Sequence, residues 1–338
     1  MTTPSSGPIS AQHINTELGN PTTQQLGLND SAVRTLAGVS SGTIAYNDLR
    51  GKSSFSASGG TVTTPGNGYT YHTFTSPGTF VLSGTKNFDV LVVAGGGGGG
   101  PSYDSNGGGG GAGGLIYVPS MSISTGNYSV TIGAGASQWN TNTGQTGGDS
   151  QLGSLLTAKG GGYGGGGPRG AQYPGGPGGS GGGGSGFSGD TPAGSATQPS
   201  QPGNSGTYGY GHAGQHTTGS RGDGGGGAGG MGTTPGPNHY NGNGGAGRQY
   251  PGFTGPLIGV PALAPLSGYF AGGGGSGYGG VGGSGGGSPG SPLGPPVSAP
   301  GKPRPNGTAN SGGGGGGTWA YGFGGDGGSG IVVIRYAV

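Results

Sequence analysis

Hydrophobic positions along this chain are densest in three blocks, separated by stretches in which glycine and polar residues predominate. In residues 8–53, Ile9, Ile14, Leu18, Leu26, Leu28, Val33, Leu36, Val39, Ile44 and Leu49 recur between capping residues. Ser10 and Gly19 bound a predicted helix over 11–18, Asn29 or Asp30 and Gly38 a second over 31–36, and Thr43 and Gly51 a third over 44–49. In residues 69–94 the period changes to two. Tyr69-Thr70-Tyr71-His72-Thr73-Phe74-Thr75 alternates, residues 76–78 read as a turn, and 79–82 continue as strand. Residues 88–94 are an almost unbroken apolar run, the signature of a strand buried on both faces. Further strands are predicted at 114–118, 128–132 and 152–158. The third block, 331–336, is a terminal strand expected to pair with the sheet containing 88–94 and so close the domain.

Between the second and third blocks glycine dominates, with 102 among 338 residues. It comes in runs at 95–100, 107–114, 160–167, 175–186, 222–230, 242–247, 272–287, 312–317 and 322–330. Glycine loses the most backbone entropy on ordering and buries no side chain. Such a chain is either a flexible linker or an architecture that only glycine enters. Collagen is excluded, because the runs keep no Gly-X-Y phase. Nine runs of matched length between well-formed strands favour left-handed three-residue helices packed side by side. A run of six spans roughly 19 Å at about 3.1 Å per residue. These helices have no internal hydrogen bonds, so each N–H and C=O needs a neighbouring helix. Mid-run glycines such as Gly164 and Gly274 then have no room for a Cβ.

The expected fold is mostly irregular and β: a small N-terminal helical module, and short strands framing a bundle of packed polyglycine-II helices. The expected segments are 1–53 as a docking module, 54–94 as the strand region, 95–330 as the bundle with variable loops, and 331–338 as the closing strand. The module's small core suggests completion by a partner surface, with Ile14, Leu18, Val33, Leu36, Ile44 and Leu49 as the docking residues.

Charge and chemistry narrow the function. Net charge is +2 with no basic cluster, which disfavours nucleic acid and anionic membrane as partners. No apolar run approaches a membrane span, and Met1-Thr2-Thr3-Pro4 shows neither a basic start nor a signal-like apolar stretch. There is no cysteine. His212 and His216 lack converging third and fourth ligands, so no metal is expected. Arg221-Gly222-Asp223 is a chance tripeptide in so glycine-rich a chain. Gly51-Lys52-Ser53 lacks the first glycine of a phosphate loop, because Tyr46 stands there. Nine scattered acidic residues form no acid–base pair, so neither enzyme activity nor a cofactor is expected.

Three resemblances add to this reading. Residues 8–19 (Pro8-Ile9-Ser10-Ala11-Gln12-His13-Ile14), 28–39 (Leu28-Asn29-Asp30-Ser31-Ala32-Val33), Ser41-Gly42-Thr43-Ile44 and Gly51-Lys52-Ser53 resemble an N-terminal module recurring in virion proteins of tailed bacteriophages. This implies a virion protein anchored by its N-terminus to other tail or baseplate proteins and assembled in the host cytoplasm. Tyr128-Ser129-Val130-Thr131-Ile132-Gly133-Ala134-Gly135, Gly147-Gly148-Asp149-Ser150 and Leu155-Leu156-Thr157-Ala158-Lys159-Gly160 resemble the glycine-rich region of the anaplastic lymphoma kinase ectodomain, in architecture only. In design and composition the chain is similar to the tail-fibre tip adhesins of T-even-like phages, whose loops between polyglycine helices read the host surface.

Glycine helices carry no side chains to bind with, so recognition falls to the connecting segments. These are rich in tyrosine, serine and asparagine, the palette of binding loops. The expected receptor contacts are Tyr208, Tyr210, Tyr250, Phe253, Tyr173 and Tyr240, with 187–221 and 248–270 as the principal loops. The expected partner is a bacterial surface glycan or outer-membrane protein. The alternative is a scaffold or decoration protein of the virion without a receptor role.

Overall fold

The computed structural model describes residues 2–102, 105–137, 142–167, 173–186, 191–216, 222–233, 241–291, 306–319 and 322–338. The N-terminal module holds α1 (Ala11–Leu18), α2 (Ser31–Ala37) and a 3₁₀ turn at Tyr46–Leu49. The Ser10 side chain accepts from the His13 N–H, and Gly19 ends α1 in the left-handed conformation that glycine adopts without strain. The third helix is shorter than expected and Thr43 does not cap it. Asp48 Oδ2 accepts the Ala45 N–H at 2.8 Å, so the turn begins at Tyr46 instead. Ile14, Val33, Leu36, Ile44 and Leu49 are buried together, with Leu18 packed on their margin. The expectation that these residues form a docking face is therefore corrected: they are the module's own core, and facing one another satisfies them. The buried Glu17 ties the module to the following chain by accepting from the Ser53 hydroxyl (2.9 Å) and the Ser54 N–H (2.8 Å).

Two antiparallel sheets follow. The smaller has the order β1 (Ser56–Ser58), β4 (Gly78–Ser83), β7 (Gly126–Thr131), β8 (Ser150–Leu152) and β9 (Leu156–Ala158). The larger has the order β10 (Gly209–Tyr210), β6 (Leu115–Ile123), β5 (Lys86–Val93), β13 (Ile331–Ala337), β3 (Tyr69–Phe74) and β2 (Thr61–Thr63). The stretch read as one strand at 152–158 is the β8–β9 hairpin, because Gly153 turns the chain with φ of 49°. The terminal β13 lies between β5 and β3, with Ile331 opposite Val93 and Val332 opposite Phe74. Its pairing brings the two ends of the domain together across more than two hundred residues. Phe80, Phe88, Val90, Val92, Ile116, Leu152, Val332 and Ile334 fill the space between the sheets. Leu91, Val93, Leu115, Ile331 and Val333 point to the other face, where Phe253, Ile258 and Leu263 cover them. A short pair, β11 (Arg248–Gln249) with β12 (Tyr269–Phe270), brackets that covering segment.

The glycine runs leave the sandwich at one end, from Val93 and into Leu115, and form a lattice. Run 107–114 lies at a point where seven helices meet. Its N–H groups donate in rotation to three neighbours: Gly107, Gly110 and Gly113 to Thr318, Gly315 and Gly312; Gly108, Gly111 and Gly114 to Gly165, Gly162 and Lys159; Gly109 and Ala112 to Asp223 and Gly226. Its carbonyls accept in rotation from three others: from Gly277 and Gly274, from Gly100, Gly97 and Ala94, and from Gly183 and Ser180. All fifteen bonds measure 2.7–3.0 Å. This threefold rotation is the hydrogen-bond pattern of packed polyglycine-II helices, with six neighbours around one.

No glycine of 95–100 or 107–114 has positive φ. The extended left-handed helix is open to any residue, so the requirement for glycine comes from space. A Cβ built on Gly97, Gly110, Gly164 or Gly274 falls on the carbonyl oxygen of Gly162, Gly97, Gly108 or Gly315 respectively. Gly98 is the exception within its run: its nearest neighbour would be the Gln145 nitrogen at an ordinary 3.5 Å.

The module, the sandwich and the lattice follow one another along an axis. The module's exit leads into β1, whose Ser56 pairs with Ser83 at the end of the sheet away from the glycine runs. At the far end of the lattice, bridges join Ser102 to Gly167 and Gly322, and Asn106 to Gly186 and Trp319.

Two outcomes are expected from this architecture. Gly97→Ala and Gly110→Ala should each destabilise by about 3 kcal/mol or more, since no side chain can move aside. Gly98→Ala should be neutral or stabilising by about 0.5 kcal/mol, because alanine orders at lower entropic cost. Denaturant titration followed by circular dichroism measures both, and equal losses at all three positions would remove the lattice account. The second outcome concerns His72, buried between Phe80 and Tyr336. Its Nδ1 bonds the Gly59 carbonyl at 2.9 Å, and its Nε2 is buried without a partner among the described residues. Burial lowers its pKa, with the Gly59 bond opposing. The unfolded ring titrates near about 6.5, so this stability is complete above that pH and is lost as the pH falls below it. The melting temperature should drop between about pH 7 and pH 5, and His72→Phe should flatten the drop.

Candidate functional site

Two regions gather side chains capable of recognition. The first lies on the outer face of the larger sheet, where residues 248–271 cross it. This segment is apolar where the other connections are polar: Leu263 and Leu266 turn inward on the 3₁₀ turn Pro261–Leu266, and Leu257, Ile258 and Val260 do so on the stretch that joins it to an earlier turn, Pro251–Phe253. A strand with apolar residues on both faces requires such a cover. Tyr71, from β3, donates to the Gly252 carbonyl at 3.0 Å, and Thr63 donates to the Leu257 carbonyl at 2.6 Å.

Three of the six expected receptor contacts, Tyr210, Tyr250 and Phe253, fall in or beside this cover, and a fourth, Tyr208, lies between the sheets. Phe253 is 1% exposed, which corrects its assignment as a contact residue. Its ring packs edge-on against Tyr71 and Tyr117. Tyr250 is half-buried 4.6 Å from Tyr117, and burial pushes its hydroxyl up to about 12, with Arg248 opposing. Tyr210 pairs through β10 with β6 and carries the Arg248 guanidinium 3.6 Å above its ring. Tyr208 packs against the core between the sheets. These four tyrosine and phenylalanine side chains build the sandwich rather than a loop tip. The apolar run from 257 to 266 was the signal in the sequence that this loop is a lid on the sheet.

Arg335 holds the cover in place. Its guanidinium meets Asp89 Oδ2 at 2.9 Å, donates to the Gly252 carbonyl at 3.1 Å, and lies 4.5 Å from the Phe253 ring and 4.3 Å from Tyr69. Asp89 also accepts the Ser120 N–H at 3.0 Å. The pair is mostly shielded, with side-chain exposures of 13% and 20%. Arg335→Met is expected to destabilise by about 2–3 kcal/mol, leaving Asp89 with an uncompensated charge. It should also open 251–266 to proteolysis, whereas a cut elsewhere first would show that the clamp is not what seats the cover.

The second region is the far end of the lattice, where helices turn back. Polar side chains here satisfy backbone groups left over at the helix ends. Ser102 donates to the Ser105 carbonyl, Thr191 to Ser185, and Thr318 to Gly322. Tyr173 is here, half-buried, with its backbone held by Ser185. Tyr240 lies outside the described residues, as does Arg221. Asp223 of the Arg-Gly-Asp string is 1% exposed within its run. His212 and His216 bond different carbonyls, those of Gly227 and Thr191, each at 3.0 Å. Four residues turn a three-residue helix past one full rotation, so the two rings leave on different faces. Among the described residues no group of three His, Asp or Glu could hold a metal ion. The sequence reading missed one feature of this end, the edge-to-face pair of Tyr278 and Trp319, 5.5 Å apart.

No curated protein matches this chain. The model of a family described as "Glycine-rich domain" matches residues 73–337. That span runs from within β3 to the last residue of β13, and leaves the N-terminal module outside. With the lattice and all of the sandwich after β3 inside the match, this chain belongs to the glycine-rich domain family.

Proposed function

We propose that this protein is a non-enzymatic attachment protein of a tailed-bacteriophage virion, placed at a tail fibre or tail tip. Its N-terminal module docks on other tail or baseplate proteins, and the far end of its lattice meets a receptor on the bacterial surface. The observation that carries this reading is the axial order: a separately cored module, a sandwich closed by β13, then a lattice whose connections gather at the opposite end. An adhesin needs its anchor and its contact surface separated by a rigid body. Backbone hydrogen bonds to six neighbours supply rigidity without side chains, leaving the far-end connections to vary in sequence. Tyr173, Tyr278, Trp319 and the exposed Phe323 are the described aromatic residues at that end.

A structural virion protein without receptor contact is the second reading. The burial of Phe253 and the packing of Tyr208, Tyr210 and Tyr250 favour it, since residues first assigned to recognition serve the core. The two readings separate by competition. The purified full chain, added to the susceptible bacterium before infection, should lower the rate of virion adsorption in proportion to its concentration. Antibody labelling of virions should place the chain at the tail. Labelling of the tail with no competition would favour the scaffold role, and absence from virions would overturn both.

A further inference from the structure

On the N-terminal module, α2 stands as a ridge between two clefts. On one side Arg34, Gly38, Val39 and Ser40 line a cleft of about 490 Å³. On the other, a cleft of about 430 Å³ opens between α2 and the sandwich, with Leu18, Ala32 and Leu36 on the module and Ser83 of β4 opposite. Ser31 and Thr35 border both. The second cleft keeps its shape because the module is fixed to the sandwich. Glu17 accepts from Ser53 and Ser54, and the next residue, Phe55, packs edge-on against Tyr336 at 4.9 Å with the Lys86 ammonium 4.7 Å from its ring centre. Three of the five hydroxyls lining this cleft are already committed, Thr35 to the Ser31 carbonyl and Ser53 and Ser54 to Glu17. What it offers a partner is the apolar surface of Leu18, Ala32 and Leu36.

The first cleft is cationic. Arg34 donates to Asn29 Oδ1 and to the Gly42 carbonyl, each at 3.0 Å, and both acceptors are neutral. A Cβ on Gly38 would stand 3.9 Å from Lys52 Nζ, so a second cation borders the same cleft. Among the described residues neither cation has a carboxylate at ion-pair distance. Asp30 and Asp48, the acids nearest to them in sequence, accept the Gly27 and Ala45 N–H groups. A second copy of this chain meeting the ridge face to face would set these cations against their own kind. A different protein that brings a carboxylate compensates them. The module's own core is complete, so a partner meets this outer surface, and the glycine-rich family match leaves the module outside.

We propose that α2 seats a segment of another tail protein, which straddles the ridge with an apolar side chain in the Leu18–Ala32–Leu36 cleft and a carboxylate beside Arg34 and Lys52. The inference rests on the attachment reading above and names its docking surface and the chemistry of its partner. Virions are grown with the full chain unaltered or carrying Ala32→Arg, and the amount of chain per purified particle is measured by immunoblot. Ala32 is exposed and arginine is a good helix former, so the purified variant should melt unchanged. Its incorporation should fall about tenfold or more, because the new side chain fills the apolar cleft. Lys52→Gln should lower incorporation about threefold, and no loss there would overturn the acidic partner. Ser129→Arg, on the exposed face of β7, should incorporate normally, and an equal loss there would overturn the surface assignment. Should Ala32→Arg melt lower, Ser31→Arg repeats the test from a residue that borders both clefts and whose hydroxyl has no bond among the described residues. Normal incorporation of a stably folded variant overturns this surface and leaves the attachment reading standing. Absence of the unaltered chain from virions overturns both.

Discussion

Everything in this molecule depends on carbonyl oxygens occupying the space where side chains would begin. At Gly97, Gly110, Gly164 and Gly274 a Cβ would stand only 2.1–2.2 Å from a carbonyl oxygen of the neighbouring helix. That closeness brings each N–H within 2.7–3.0 Å of its acceptor and lets run 107–114 exchange bonds with six helices. Glycine therefore acts here through its absent Cβ, whereas at Gly19 and Gly153 it acts through a positive φ. The same residue type answers two different physical demands in one chain.

A lattice of this kind sits near energetic balance. A net hydrogen bond contributes about 1 kcal/mol, while ordering one residue's backbone costs about 1–2 kcal/mol. Runs of bare backbone consequently need an anchor, and the sandwich is that anchor. Val93, Leu115 and Ile331, at the point where the runs leave, are all fully buried. β13 fastens the last run beside the first, so the lattice begins and ends on one pair of strands. Ala112, Ala228 and Ala271, among the few non-glycine residues in the runs, pack into the apolar cluster at this junction. Side chains return where the lattice meets the sheet because there they have something apolar to touch.

The consequence for function is a division of labour along the axis. Side chains with recognition chemistry are rare within the lattice, where positions such as Tyr163 and His212 carry them, so most collect at its two ends and around the sandwich. At the sandwich they are committed to structure: Arg335, Asp89 and Tyr71 clamp the cover, and Phe253 fills it. At the far end they cap helix ends or stand partly exposed, as Tyr278 and Trp319 do. Residues of one composition thus serve opposite purposes according to which end of a run they follow.

The sequence by itself determined the vocabulary of the fold. Alternation at 69–74, the apolar run at 88–93 and the terminal 331–336 named three of the central strands, and the caps at Ser10 and Gly19 named α1. Runs lacking Gly-X-Y phase named the polyglycine helices. These signals are local, set by side-chain period, capping chemistry or composition, and a single chain displays them. What only the tertiary structure decided was partnership. Which run neighbours which is a matter of three-residue register between segments as distant as Gly96 and Gly328, and glycine carries no side chain to advertise that register. The six candidate docking residues were read as a core too small to stand without a partner surface, because a short segment does not reveal how closely they face one another. Tyr210, Tyr250 and Phe253 looked like loop-tip aromatics because their connection is long. Their burial follows from the far face of β5 needing a cover, a demand visible only once β5 lies at the centre of a sheet.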